Sequence, residues 1–175
     1  MTGKDENIFT VEYANGKLML LDQTALPAEE RYIECENWQR VAKAISDLEV
    51  RGAPAIGVTA AFGLVLAVKA SLVTTHKEML NELEAVAESL IATRPTAVNL
   101  AWAVQEVMEV ARSSKTAEEM QQNVENTAQR LHAEDLAICK AIGDAGAELL
   151  AEAKNVITHC NAGGLATVGY GTALG

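Results

Sequence analysis

The sequence predicts an α+β chain: a small antiparallel sheet, then a helical bundle, then the first strand of a parallel α/β sheet. Three observations predict it. Asn15-Gly16 lies between two short segments rich in apolar residues, and that dipeptide favours the tight type I′ turn of a hairpin. From Trp38 onward apolar residues recur every three or four positions, the period of an amphipathic helix. At Asn155 the pattern switches to a short apolar run followed by a glycine-rich turn, the order in which a strand hands over to a helix in parallel α/β sheets.

Phe9 to Tyr13 and Lys17 to Leu21 are the predicted hairpin strands, and Arg31 to Glu36 a third, with Pro27 breaking the pattern between them. Trp38, Val41, Ala42, Ile45 and Leu48 mark the first helix. The stretch from Gly52 to Val68 carries no charge. Its length is near the lower limit for a membrane span, roughly 17 residues, but Pro54, Gly57, Gly63 and several alanines lower its hydrophobicity. It is expected to be a buried central helix. Leu80, Leu83, Val86, Ala87, Leu90 and Ile91 mark the next helix, which should stop before Pro95 because proline disfavours helical geometry at Arg94. Further helices are expected around Leu100 to Met108, around Met120 to Leu131, and from Glu134 to Ala153, with Gly143 and Gly146 as points of close approach. Asn155 to His159 is then the strand, and a helix should begin after the glycines that follow Cys160. A lone strand has no neighbours to satisfy its backbone groups. The sequence is therefore expected to begin a second domain without finishing it, as a truncated or cleaved chain would. Residues 155–175 should be poorly packed or paired with another chain.

The 175 residues are 49% hydrophobic, 22% charged and only 4% aromatic. A globular core made of Ala, Leu, Val and Ile follows, which suits closely packed helices. The formal net charge of −10 repels nucleic-acid phosphates and anionic lipids, so neither nucleic acid nor a membrane is an expected partner. Three cysteines without CxxC pairs give no disulfide framework and no zinc ribbon, and three scattered histidines form no metal-ligand cluster. No cofactor motif occurs: Gly169-Tyr170-Gly171 lacks the third glycine of a dinucleotide fingerprint at the required place. The N-terminus has no signal-peptide core. A cytoplasmic protein with free thiols is expected.

Cys160 is the candidate catalytic residue. It stands at the expected carboxyl end of a strand, where open α/β sheets place their ligands, and a following helix N-terminus would favour its thiolate. The competing reading is a buried apolar cysteine, the ordinary fate of a free thiol. That reading also fits Cys139, on a helical apolar face; Cys35, in a strand, carries no functional signal. His159 should point away from Cys160, because consecutive strand residues face opposite sides. His76 and His132 lie in polar helical surroundings and are expected to be solvated. Arg51-Gly52-Ala53-Pro54 is the candidate anion site, where an arginine and free backbone N–H groups would converge at a helix start; the competing reading is a surface arginine before a capped helix. Arg94, in the break between two helices, is either a second contact to the same ligand or a solvated loop residue.

Three segments resemble one family. Arg51-Gly52-Ala53-Pro54-Ala55-Ile56-Gly57, Arg94-Pro95-Thr96-Ala97-Val98-Asn99-Leu100, and Thr158-His159-Cys160-Asn161-Ala162-Gly163 with Ala166-Thr167 and Gly169-Tyr170-Gly171-Thr172-Ala173 are similar to motifs of methylthioribose-1-phosphate isomerases. Gly16-Lys17-Leu18 and Leu21-Asp22-Gln23-Thr24 resemble the opening hairpin of that family. The wider family includes ribose-1,5-bisphosphate isomerases and regulatory subunits of translation initiation factor 2B. The resemblance implies an α+β N-terminal domain, with the sheet in residues 1–36 and the helical part in 37–153, followed by the first strand of a truncated Rossmann-like α/β domain in 154–175. It implies an aldose–ketose isomerase of methionine salvage, acting on 5-methylthioribose 1-phosphate without a cofactor and forming a homodimer when intact. In that scheme Arg51, Gly52, Ala53 and Arg94 bind the sugar phosphate and Cys160 assists the hydrogen shift. The partner acid/base, an aspartate later in such chains, has no counterpart here, so this chain alone is expected to be inactive. The alternatives are a ribose-1,5-bisphosphate isomerase, or a non-catalytic regulatory subunit that binds a nucleotide or sugar phosphate.

Overall fold

The computed structural model describes residues 9–175; the first eight, read above for a signal-peptide core, lie outside them. Strands β1 (Val11–Ala14), β2 (Lys17–Leu21) and β3 (Tyr32–Cys35) form one antiparallel sheet in the order β1-β2-β3. Asn15 and Gly16 both take positive φ, 54° and 77°, as a type I′ turn demands, and this fixes the register with Ala14 opposite Lys17 and Val11 opposite Leu20. The register buries Val11, Leu18 and Leu20 and leaves Lys17 outside, paired with Glu34 at 2.7 Å. The sheet joins the helices where Tyr13 stacks on Phe62 with ring centroids 4.6 Å apart.

Among the described residues, five α-helices follow: α1 (Trp38–Ser46), α2 (Ala53–Ala70), α3 (His76–Thr93), α4 (Val98–Ser113) and α5 (Ala117–Leu150). The uncharged segment is α2, and thirteen of its eighteen residues are buried. It is long and apolar enough to cross a membrane, yet 72% of it is covered by this fold; it is the axle of the bundle, touching every other helix. Arg94 ends α3 in a non-helical conformation ahead of Pro95, as the sequence predicts.

Four expectations need correction. The helices expected over 120–131 and 134–153 are one 34-residue rod, α5. No proline or turn cluster separates Leu131 from Glu134, so nothing interrupts the backbone ladder over about 50 Å. Gly143 lies against Tyr170, but a Cβ on Gly146 would meet nothing within 4 Å, so only the first is a point of close approach. His76 and His132 are not free in solvent. The His76 ring reaches the carbonyl oxygen of Ala111 at 3.2 Å, and the His132 ring that of Val11 at 2.9 Å.

The fourth concerns the C-terminal segment. Asn155 to His159 form no strand, because no neighbouring strand is present among the described residues to bond them. Residues 151–161 are all exposed, as expected for an unpaired segment. Residues 162–171 are not poorly packed, however. Ala162, Ala166, Thr167 and Val168 are buried, and the expected helix is a single 3-10 turn, Gly164–Ala166. This loop folds back to cover the start of α2.

Candidate functional site

The helices begin in two different ways. Asn37, Thr75 and Thr116 cap α1, α3 and α5 by accepting hydrogen bonds from the backbone N–H groups of Arg40, Glu78 and Glu119. Helices α2 and α4 start at Gly52 and Ala97 with no side-chain cap. These two are the helices that open within the motifs 51–57 and 94–100. Their first-turn N–H groups have no partner inside the helix and carry the positive end of the helix dipole.

The uncapped starts lie side by side. A Cβ on Gly57 would come 2.9 Å from the carbonyl oxygen of Asn99, so only glycine lets α4 approach α2 this closely. Arg51 and Arg94, each just ahead of its helix, are therefore placed at the same end of the α2–α4 pair. Arg51 is exposed and Arg94 half-buried. Pro54, Gly57 and Asn99 also line a cavity of about 220 Å³ with Trp102, Asp135 and Ile138.

The third motif meets the first through its glycine-rich loop. Gly52, at φ 103°, presses on the backbone of Ala166. The Gln23 side-chain amide donates to the carbonyl oxygen of Leu165 at 2.7 Å and stands 3.5 Å from that of Arg51. Thr10 Oγ donates to the carbonyl oxygen of Gly164 at 2.8 Å, and the Val168 amide donates to Asp135 at 2.8 Å. Burial pushes the Asp135 carboxyl above the usual carboxylate range, against the opposing effects of that hydrogen bond and of His132. Cys139 is buried one helical turn away, and burial likewise raises its thiol.

Cys160 stands apart from these contacts. It is exposed, with φ 61°, and neither a strand before it nor an α-helix after it frames the thiol. The chain nevertheless tethers it. Six residues along the chain from Cys160 to Ala166 keep it within about 20 Å of the Gly52 contact. Arg51, Gly52 and Ala53 thus stand at the start of α2 and Arg94 at the end of α3, ahead of α4, while Cys160 lies on the exposed segment before the glycine-rich loop.

Sequence reasoning missed Gln23, Asp135 and Asn99. Gln23 and Asn99 fell inside segments recognised for their resemblance, but nothing in the spacing marked either as a contact. Asp135 resembles any acidic residue on a solvated helix face until the loop 162–171 covers it.

The sequence profile of the Initiation factor 2 subunit family matches residues 49–170. The chain is 48% identical over 168 residues to the methylthioribose-1-phosphate isomerase of Geobacter metallireducens, covering 95% of this chain and 49% of that protein. Against the methylthioribose-1-phosphate isomerase of Nostoc punctiforme it is 45% identical, covering 100% of this chain and 51% of that one. Among solved structures, the 5-methylthioribose 1-phosphate isomerase of Pyrococcus horikoshii superposes with a TM-score of 0.88 at 39% identity, over 95% of this chain and 47% of that one. The translation initiation factor eIF-2B subunit delta of A. fulgidus gives 0.87 at 39% identity, over 96% and 49%. The chain spans about half the length of the curated relatives it matches.

Proposed function

The chain belongs to the Initiation factor 2 subunit family, and on that premise we propose that it carries the substrate-anchoring part of an aldose–ketose isomerase converting 5-methylthioribose 1-phosphate to 5-methylthioribulose 1-phosphate in methionine salvage. The observation that carries this reading is that the first motif meets the second at Gly57–Asn99 and the glycine-rich loop at Gly52–Ala166, beside the uncapped starts of α2 and α4. Two arginines and helix starts without side-chain caps suit a phosphate monoester. The names of the relatives supply the rest of the substrate.

A phosphate on C1 of the sugar blocks ordinary ring opening to a free aldehyde. The enzyme must anchor that phosphate, exclude water and move hydrogen between C2 and C1 with a positioned acid/base pair. In this proposal Arg51, Gly52, Ala53 and Arg94 hold the substrate and Cys160 supplies one member of the pair. The exposed Cys160 loop then has to close onto the bound sugar. The second member belongs to sequence beyond the half that this chain shares with its relatives, and a cytoplasmic homodimer working without a cofactor is part of the same proposal.

The test is an isomerase assay with methylthioribose 1-phosphate on this chain and on a protein extended to the length of its relatives. Turnover in the extended protein, lost in Cys160→Ser with substrate binding retained, is the expected outcome. Unchanged turnover in Cys160→Ser would remove the catalytic role. A second reading, a non-catalytic regulatory subunit, is favoured by the likeness to the A. fulgidus initiation factor subunit. Ligand binding without turnover in the extended protein would select it.

A further inference from the structure

We propose that Gln23 is a positioning residue that sets the anion-binding start of α2 against the loop leading from Cys160. The inference rests on the functional reading above for what the site binds, but not for the clamp itself. Gln23 is 2% exposed and follows the end of β2, where its backbone N–H is held by the carbonyl oxygen of Glu49 at 2.8 Å. Its side-chain Nε2 donates to Leu165 at 2.7 Å and faces the Arg51 carbonyl oxygen at 3.5 Å. Its own carbonyl oxygen faces the Arg51 guanidinium, with Nη2 at 3.4 Å.

Thr10 and Asp135 also hold the loop 162–171, but at Gly164 and Val168, and neither reaches the first motif. Among the described residues, Gln23 is the side chain whose polar contacts run both to the first motif and to this loop. Together with the backbone contact of Gly52 and Ala166, it sets the distance between Arg51 and the loop, and with it where the guanidinium stands relative to the chain that bears Cys160.

A second observation separates this role from simple core packing. The other end of the same amide, Oε1, is buried with no hydrogen-bond partner. An unpaired buried acceptor is unfavourable. Gln23→Met has nearly the same shape, removes that acceptor and loses the Nε2 donor as well, so the two effects on global stability offset each other. The loss that remains is local: the polar tie between the loop and Arg51 is gone, and the Gly52–Ala166 packing is left to hold them alone.

The experiment uses this chain. Binding of methylthioribose 1-phosphate is measured by calorimetry, amide hydrogen exchange is followed over residues 164–168, and thermal unfolding is recorded, for the wild type and Gln23→Met. Expected for Gln23→Met are a melting temperature within a few degrees of wild type, faster exchange over 164–168, and affinity weakened by roughly tenfold, the loss of about one hydrogen bond's worth of positioning. Equal affinity and equal exchange in the two proteins would overturn the proposal, as would a large loss of melting temperature with exchange protection retained. If the wild type itself binds no ligand, the functional reading fails, and exchange alone decides the clamp. Gln23→Glu gives an independent arm. Its carboxyl can donate to Leu165 only when protonated, so its affinity relative to wild type, and its exchange protection, should recover as pH falls from 8 to 5; a flat ratio counts against the clamp.

Discussion

A Cβ placed on Gly52 would lie 2.3 Å from the Cα of Ala166. The start of α2 and the C-terminal loop are thus in contact backbone to backbone, with no room for any side chain. Gly52 also takes φ 103°, which L-residues rarely adopt. Gly52→Ala should therefore incur both strain and a clash, with a loss of stability of roughly 2 kcal/mol or more. Gly16→Ala, also at positive φ but with nothing within 4 Å, should lose only about 1 kcal/mol. Urea melts of both variants check this, and equal losses would mean that the Ala166 contact contributes nothing.

Within the C-terminal third of α5, a Cβ on Gly146 would have no neighbour within 4 Å. Gly146→Ala should raise stability by about 0.5–1 kcal/mol through helix propensity alone. A destabilised variant would mean that this part of α5 is not helical in solution.

Asp22 couples the sheet to pH. Burial opposes its ionisation, but hydrogen bonds from Thr24 and the ion pair with Arg31 outweigh burial and hold the carboxyl at about 2. A carboxylate whose pKa is lowered by folding stabilises the protein above its unfolded pKa, and that contribution is lost as pH falls towards the folded value. The window is therefore about pH 4 down to pH 2. The Arg31 side chain is half-exposed, so screening reduces the effect to on the order of 1–2 kcal/mol. Urea midpoints from pH 5 to pH 2.5 should fall more steeply in the wild type than in Asp22→Asn; parallel curves would rule out this linkage.

Asp135 should behave in the opposite sense. Burial raises its pKa, so its stabilising contribution is complete at low pH and declines as pH rises through the folded value. Asp135→Asn keeps an oxygen to accept from the Val168 amide and introduces no charge, so at pH 7 it should be at least as stable as the wild type. Asp135→Ala leaves that amide unpaired and should be less stable, with faster exchange at Val168. The two variants melting alike would show that the hydrogen bond to Val168 does not matter.

The three thiols should separate by reactivity. Cys160 is exposed, whereas Cys35 and Cys139 are buried, and burial pushes the Cys35 thiol up to about 11. A thiol reagent at pH 8 should modify one cysteine promptly in the folded chain and the other two only after denaturation. The prompt reaction should vanish in Cys160→Ser. Rapid modification of two or three thiols would contradict the burial of Cys35 and Cys139.

Much of this molecule was determined by sequence alone, wherever structure follows from neighbours along the chain. Asn15-Gly16 fixed the hairpin because both residues tolerate positive φ. Pro95 fixed the end of α3 because its ring restricts Arg94. The uncharged run from Gly52 to Val68 had to be buried because nothing else offsets its contact with water. The three motifs could likewise be recognised as strings of letters. Tertiary structure decided what those strings do to one another. The Gly57–Asn99 and Gly52–Ala166 contacts, and the reach of Gln23 to Leu165, join residues far apart in sequence, and no periodicity records a contact of that kind. The same reason explains the strand expected at Asn155 to His159. A strand is made by its partner's hydrogen bonds, so its own residues can favour it without being able to form it.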